Sequence, residues 1–243
     1  MINLKKKNTF GYIFVILTAF ILAGVAGCGQ DNTVQPVSSG SNNLSFSSAS
    51  DKQVNGNNPQ NTLELFEAKV LINDLKINIE GRDDDEHCAS IKTGPFVIVL
   101  NLDSKVTEVT SASIPAGNYK KVKFEIHKLQ GNEVSPDPDF VDMNGRYSVV
   151  VRGAFNGLPF VYKSSVTANQ QMFLQKTLEV KTSDYLNLTF YASPMVWFAD
   201  ENGILLDPSL EINRGIIDAN IKNNLKHHIR VFVDNDRDGK PDN

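Results

Sequence analysis

The run Asn118-Tyr-Lys-Lys-Val122-Lys-Phe124-Glu-Ile126-His127 decides the fold class. Val122, Phe124 and Ile126 alternate with Lys121, Lys123, Glu125 and His127. Successive side chains of a strand point to opposite faces, so this period of two predicts one apolar side and one solvent-facing side. Ile114-Pro-Ala-Gly117, just before it, is a turn signal.

The same pattern recurs on either side. Leu75, Ile77 and Ile79 share one face of a second alternating run. Phe96-Val-Ile-Val-Leu100 is short and wholly apolar, which predicts a strand buried on both faces. Tyr147 to Val151 and Phe160 to Tyr162 flank Asn156-Gly157, a hairpin dipeptide. Leu174 to Val180 and Leu186 to Phe190 are separated by Ser183-Asp184, and Ile229 to Val233 reads as a last strand. Asp207 can cap a helix with Pro208 in its first position, and Ile212, Ile216, Ile221 and Leu225 then follow at roughly helical spacing. The expectation is a mainly β chain: an antiparallel β-sandwich over residues 63–233, with one C-terminal helix packed on it. A domain of about 170 residues is ample for one core.

The order of strand, acidic loop, apolar strand, Ile114-Pro115-Ala116-Gly117-Asn118-Tyr119 and alternating strand resembles a domain of unknown function common in bacterial and archaeal lipoproteins. The likeness is best from Phe66 to Leu129. It implies a prealbumin or immunoglobulin-like sandwich and brings no catalytic residues with it.

The N-terminus points the same way. Lys5, Lys6 and Lys7 precede an apolar run from Phe10 to Ala26, which ends in Val25-Ala26-Gly27-Cys28. A basic head, an apolar stretch and small residues are the anatomy of a secretory signal over residues 1–27. The Cys directly after the small residues resembles the bacterial lipobox. That resemblance implies cleavage before Cys28, a diacylglyceryl thioether on its sulfur and an acyl group on its new amine. Two or more chains hold a protein to a bilayer where one is marginal. Gly29 and Gln30 stand where some bacteria place the Asp that retains a lipoprotein in the inner membrane, which favours the outer membrane. Residues 28–62, rich in Ser, Asn and Gly, read as a disordered tether.

The whole chain has a formal net charge of −4. Cleavage removes three Lys and no acids, taking Lys+Arg from 24 to 21 against 28 Asp+Glu, a net charge of about −7. Such an acidic body argues against a nucleic-acid partner. Once Cys28 is lipidated, Cys88 stands alone and no internal disulfide can form, so the core must hold the fold.

The chain ends Asp234-Asn-Asp236-Arg-Asp238-Gly239-Lys240-Pro-Asp242-Asn243. Carboxylates at alternate positions followed by Gly suit a hard cation that needs several oxygens and a sharp turn. The segment resembles the calcium loops of thrombospondin type-3 repeats. The resemblance makes Asp234, Asp236 and Asp238 side-chain ligands, Lys240 a carbonyl ligand, and Asp242 a direct or water-mediated one. No acid stands at the twelfth position of the loop, so calcium affinity should be weak, on the order of 10⁻⁴ to 10⁻³ M. The competing reading is a solvated acidic tail over 234–243.

Other clusters read more plainly. Arg82-Asp83-Asp84-Asp85-Glu86-His87-Cys88 is a polar loop between strands, although its acids, His and thiol are metal-ligand types. His127 is expected in solvent, and His227-His228 near a helix end suit the helix dipole. Trp197 and Phe198 belong in a sandwich core, or stack a sugar or dock a protein if exposed. The sequence carries no G-x-S-x-G, H-E-x-x-H or glycine-rich phosphate loop. These features together read as a lipid-anchored, non-catalytic binding or adhesion module of the cell envelope for a ligand the sequence does not name. The alternatives are a hydrolase of envelope glycans or peptides and a structural envelope protein. Replacing Cys28 with Ala should abolish metabolic fatty-acid labelling and release the protein from the membrane fraction; persistent label on the variant refutes the anchor.

Overall fold

The computed structural model describes residues 42–50, 56–58, 61–79, 88–103 and 105–242. The lipobox with Cys28 and the acidic stretch 82–87 lie outside them. The chain is mainly β, with several antiparallel sheets and one C-terminal helix. In chain order the elements are β1 (Asn43–Ser50), β2 (Gly56–Asn58), β3 (Asn61–Ile79), β4 (Cys88–Lys92), β5 (Phe96–Leu100), β6 (Thr107–Ser113) and β7 (Gly117–Ile126). There follow β8 (Val141–Asp142), β9 (Gly145–Arg146), β10 (Val149–Phe155), β11 (Leu158–Ser164), β12 (Ala168–Val180), β13 (Tyr185–Ala192), α1 (Glu211–His227) and β14 (Arg230–Val233).

Two sheets face each other. The larger runs β11-β10-β3-β7-β12, with β2, β4 and β5 also paired to β3. The smaller runs β14-β13-β1-β6, in which β1 lies parallel to β13. Val122, Phe124 and Ile126 of β7 are buried as their alternation requires, and Leu75 and Ile77 of β3 lie beside them. Across the sandwich Phe124 meets Phe190 of β13 edge-on, with ring centroids 5.6 Å apart. Asn156 and Gly157 turn the β10–β11 hairpin with φ of 51° and 78°, the left-handed pair that such a two-residue turn demands. The motif Pro115 to Tyr119 also has a physical basis. The Tyr119 hydroxyl donates to the Pro115 carbonyl at 2.9 Å, tying the strand back onto its turn. Burial pushes this phenol up to about 12.

A smaller core sits on the other face of the larger sheet, where Phe140 and Leu129 cover Leu71 and Val150. Charged groups hold that loop down. Arg152 grips Asp139 through two bonds of 2.6 and 2.7 Å, and Lys69 reaches Asp137 and Asp139 at 2.9 and 2.8 Å. The hydrogen bonds from Arg152, then Lys69, hold the Asp139 carboxyl well below the usual carboxylate range. Gly153 lies at a bulge between β10 and β3, where a β-carbon would fall 2.3 Å from the Glu64 carbonyl oxygen. Only a residue without a side chain fits there.

Several expectations need correction. Asn43–Ser50 is not tether but a paired, buried strand at the centre of the smaller sheet, and the domain starts before residue 63. The helix begins at Glu211, without a side-chain cap. Asp207 instead accepts from the Ser209 amide at 2.8 Å and from its hydroxyl at 2.7 Å, closing a local turn ahead of the helix. The buried face of α1 is Ile217, Ile221 and Leu225, whereas Ile212 and Ile216 are exposed. β5 is not buried on both faces, since Val99 is exposed. His127 is buried, its ring Nδ1 2.7 Å from the Lys128 carbonyl oxygen, and Lys121 is buried with its ammonium over the Phe173 ring. Trp197 is fully buried and donates to Asn224 Oδ1 at 2.9 Å, so it belongs to the core. Phe124→Ala should cost about 3–5 kcal/mol in urea melts, from lost transfer energy and the cavity left behind; a loss below about 1 kcal/mol would remove Phe124 from the core.

Candidate metal centre

The terminal loop is docked on the sandwich by its first residue. β14 delivers the chain to Asp234 beside β13, whose Asn187 carbonyl accepts the Asp234 amide at 3.0 Å. Along β1 and β13 the inward residues are Leu44, Phe46, Leu188 and Phe190. The alternate residues Ser45, Ser47, Asn187 and Thr189 face outward, yet they too are buried.

What covers them is the loop. Asn187 Oδ1 accepts from Ser45 at 2.9 Å and from Ser47 at 2.7 Å. Its Nδ2 donates to the Asp234 carbonyl at 2.8 Å and to Thr189 Oγ1 at 3.1 Å. Thr189 donates in turn to Asp234 Oδ2 at 2.7 Å. Asp234 is fully buried, as a buried carboxylate can be when its oxygens are satisfied. Burial pushes its carboxyl upward from its ordinary value, against hydrogen bonds from Thr189 and from the Gly239 and Asp238 amides.

The loop then folds back on itself. Asp238 N donates to Asp234 Oδ1 at 3.0 Å and Gly239 N to Asp234 Oδ2 at 3.2 Å. Arg237 and Gly239 have φ of 57° and 81°, the left-handed turns that let the chain reverse. Asp242 returns to the start of the loop, where its amide donates to the Val233 carbonyl at 2.9 Å and its carboxylate accepts from Asn235 N at 2.9 Å.

The result brings together the carboxylates of Asp234, Asp236 and Asp242, one oxygen of each lying within 4.8 Å of the others. Three of the four carboxylates expected from the sequence therefore share one place. Asp238 is not in that group. Its Oδ1 accepts the Lys240 amide at 2.8 Å and its Oδ2 lies 3.6 Å from the Lys240 ammonium, so it shapes the turn. Sequence reading alone also missed Asn187 and Thr189, which have no motif and are recognised only by what lies on them.

No helix among the described residues is long and apolar enough to cross a membrane. No family model, curated protein or solved structure matches the chain.

Asn187 sits at the crossing of four buried hydrogen bonds, and losing a partner leaves buried polar groups costing about 1–3 kcal/mol each. Asn187→Leu should therefore free the terminal loop, read as fast hydrogen exchange at residues 235–242. Unchanged protection there would show that the loop is held by something else.

Proposed function

We propose that the chain is a lipid-anchored binding or adhesion module of the cell envelope, non-catalytic, whose terminal loop holds calcium weakly. The observation that carries the calcium reading is the convergence of Asp234, Asp236 and Asp242 on one point of a loop docked to a rigid sheet. Three carboxylates crowded together repel one another, and a hard divalent cation with oxygen preference relieves that repulsion. Three carboxylates supply at most six oxygens, and water completes the shell. Asp236 and Asp242 lie toward solvent, so the ion stays partly hydrated and the affinity low. Magnesium fits less well, because it demands tight octahedral geometry and gives up its waters reluctantly.

The anchoring half of the reading rests on the signal-like residues 1–27 and on Cys28. A module tethered by lipid at one end needs no catalytic group; it needs a stable body and a surface for a partner. The smaller sheet, with the terminal loop folded on its outer face, offers such a surface.

The test is calorimetric titration of the full-length protein in detergent beside Asp236→Ala, a variant at an exposed position that should leave the fold intact. Calcium should give heat at millimolar concentration with the parent protein, magnesium less, and Asp236→Ala none. Equal heats from the two proteins, or none from either, would leave the segment an ordinary acidic loop.

A further inference from the structure

The outer face of the smaller sheet holds one more built feature, beside the terminal loop. Tyr185, the first residue of β13, is 80% exposed, more than any other aromatic side chain among the described residues. Two depressions count Tyr185 in their lining. One, of about 170 Å³, has Ser45 and Asn187 in its lining together with Glu108 and Arg237. The other, of about 300 Å³, is lined by Asn43, Ser111 and Ser113 among others. Tyr185, Asn43 and Ser111 border both, so the two adjoin and are treated as one trough.

Strand register explains this convergence. Tyr185 pairs with Asn43, Asn43 with Ser113, and Ser45 with Ser111. These residues lie on one face of three adjacent strands, and the alternation that buries Leu44 and Phe46 turns them outward. The wall of the trough is ionic but neutral in sum. Arg237 Nη2 lies 2.8 Å from Glu108 Oε2, with both side chains nearly half exposed. Each therefore keeps hydrogen-bonding capacity for a ligand, while the pair presents no net charge.

An exposed ring with an apolar face, set among amides, hydroxyls and a compensated ion pair, matches a ligand with one apolar face, hydroxyls around its edge and no charge. A pyranose ring has that form: its axial C–H groups make the apolar face and its equatorial hydroxyls the rim. An anionic ligand suits the trough poorly, because Glu108 would repel it and Arg237 is already paired.

We propose that Tyr185 and this trough bind a neutral glycan, one sugar ring lying on the tyrosine with its hydroxyls on Glu108, Arg237, Asn43 and Ser111. The inference deepens the binding-module reading and rests on it by naming the ligand class. It also joins the trough to the metal centre. Arg237 belongs to the terminal loop, and its guanidinium reaches Ser45 Oγ at 3.1 Å as well as Glu108. Calcium bound by the same loop would hold that wall more firmly, so calcium should strengthen glycan binding.

The experiment uses the full-length protein in a detergent without a sugar headgroup. It titrates cellohexaose, xylohexaose, mannohexaose and chitohexaose by calorimetry, with polygalacturonate as the charged comparison. At least one neutral oligosaccharide should bind at millimolar concentration or below. Tyr185→Ala should weaken it by about tenfold, the size of a good ring contact, while Tyr185→Phe should keep it and melting temperatures should not move. Arg237→Ala should weaken it too. No binding by any of the four, unchanged binding by Tyr185→Ala, or tighter binding of polygalacturonate overturns the proposal. Calcium heats without glycan binding sink the trough and leave the metal centre. Glycan binding that survives in Asp236→Ala, with calcium heats gone, leaves the trough and sinks its link to calcium.

Discussion

A β-strand of nineteen residues, Asn61–Ile79, is about 60 Å long, more than any one neighbour in this fold can span. Every buried amide and carbonyl along it must still find a partner. The chain meets this demand by dividing the strand. β10 takes Leu63 to Val70 and β7 takes Ile72 to Ile79. β5 pairs opposite β10 at Ala68 to Val70, and β4 opposite β7 at Lys76 to Asn78. One irregularity in register, between Ile72 and Leu75, falls where β5 gives way to β4, and it lets the strand twist from one neighbourhood into the next. The larger sheet is in this sense arranged around one strand, and the Phe124–Phe190 contact that closes the sandwich depends on where β3 sets β7.

The second organising element is polar. Asn187, Ser45, Ser47, Thr189 and Asp234 form a buried patch on the outer face of the smaller sheet. Such a patch is costly unless every member is satisfied, and here the hydrogen bonds close on one another. The arrangement gives the terminal loop a fixed seat rather than a choice of positions. It also places Arg237 and Asn235 at the wall of the trough beside Tyr185. The carboxylate cluster and the trough are thus neighbours because one loop builds part of each.

How much of this was readable in the residues depends on which side of a strand they occupy. β7 was plain, because an apolar row facing the core alternates with charges. The Asn156-Gly157 hairpin was plain, because its turn has few other solutions. β1 was not. Its sequence Leu44-Ser-Phe46-Ser-Ser does alternate, but serines on the second face signal a linker unless something covers them. The cover comes from residues almost two hundred positions later, and no local pattern announces it. His127 and Lys121 were misread for a related reason: a long polar side chain is assumed to find water, and here each finds a protein partner first. The calcium-like spacing did locate the terminal loop. It could not tell that Asp238 would face Lys240 and leave Asp242 to join Asp234 and Asp236, since spacing does not record which way a turn rotates a side chain.

The parallel pairing of β1 with β13 also has a mechanical meaning. β1 lies between β13 and β6, and its hydrogen bonds to both run across the strand direction. A pull on the chain at Asn42 loads those bonds side by side, in shear, instead of peeling them one after another from an end. β1, the first strand among the described residues, is therefore held against being drawn out lengthwise by its bonds to both neighbours at once.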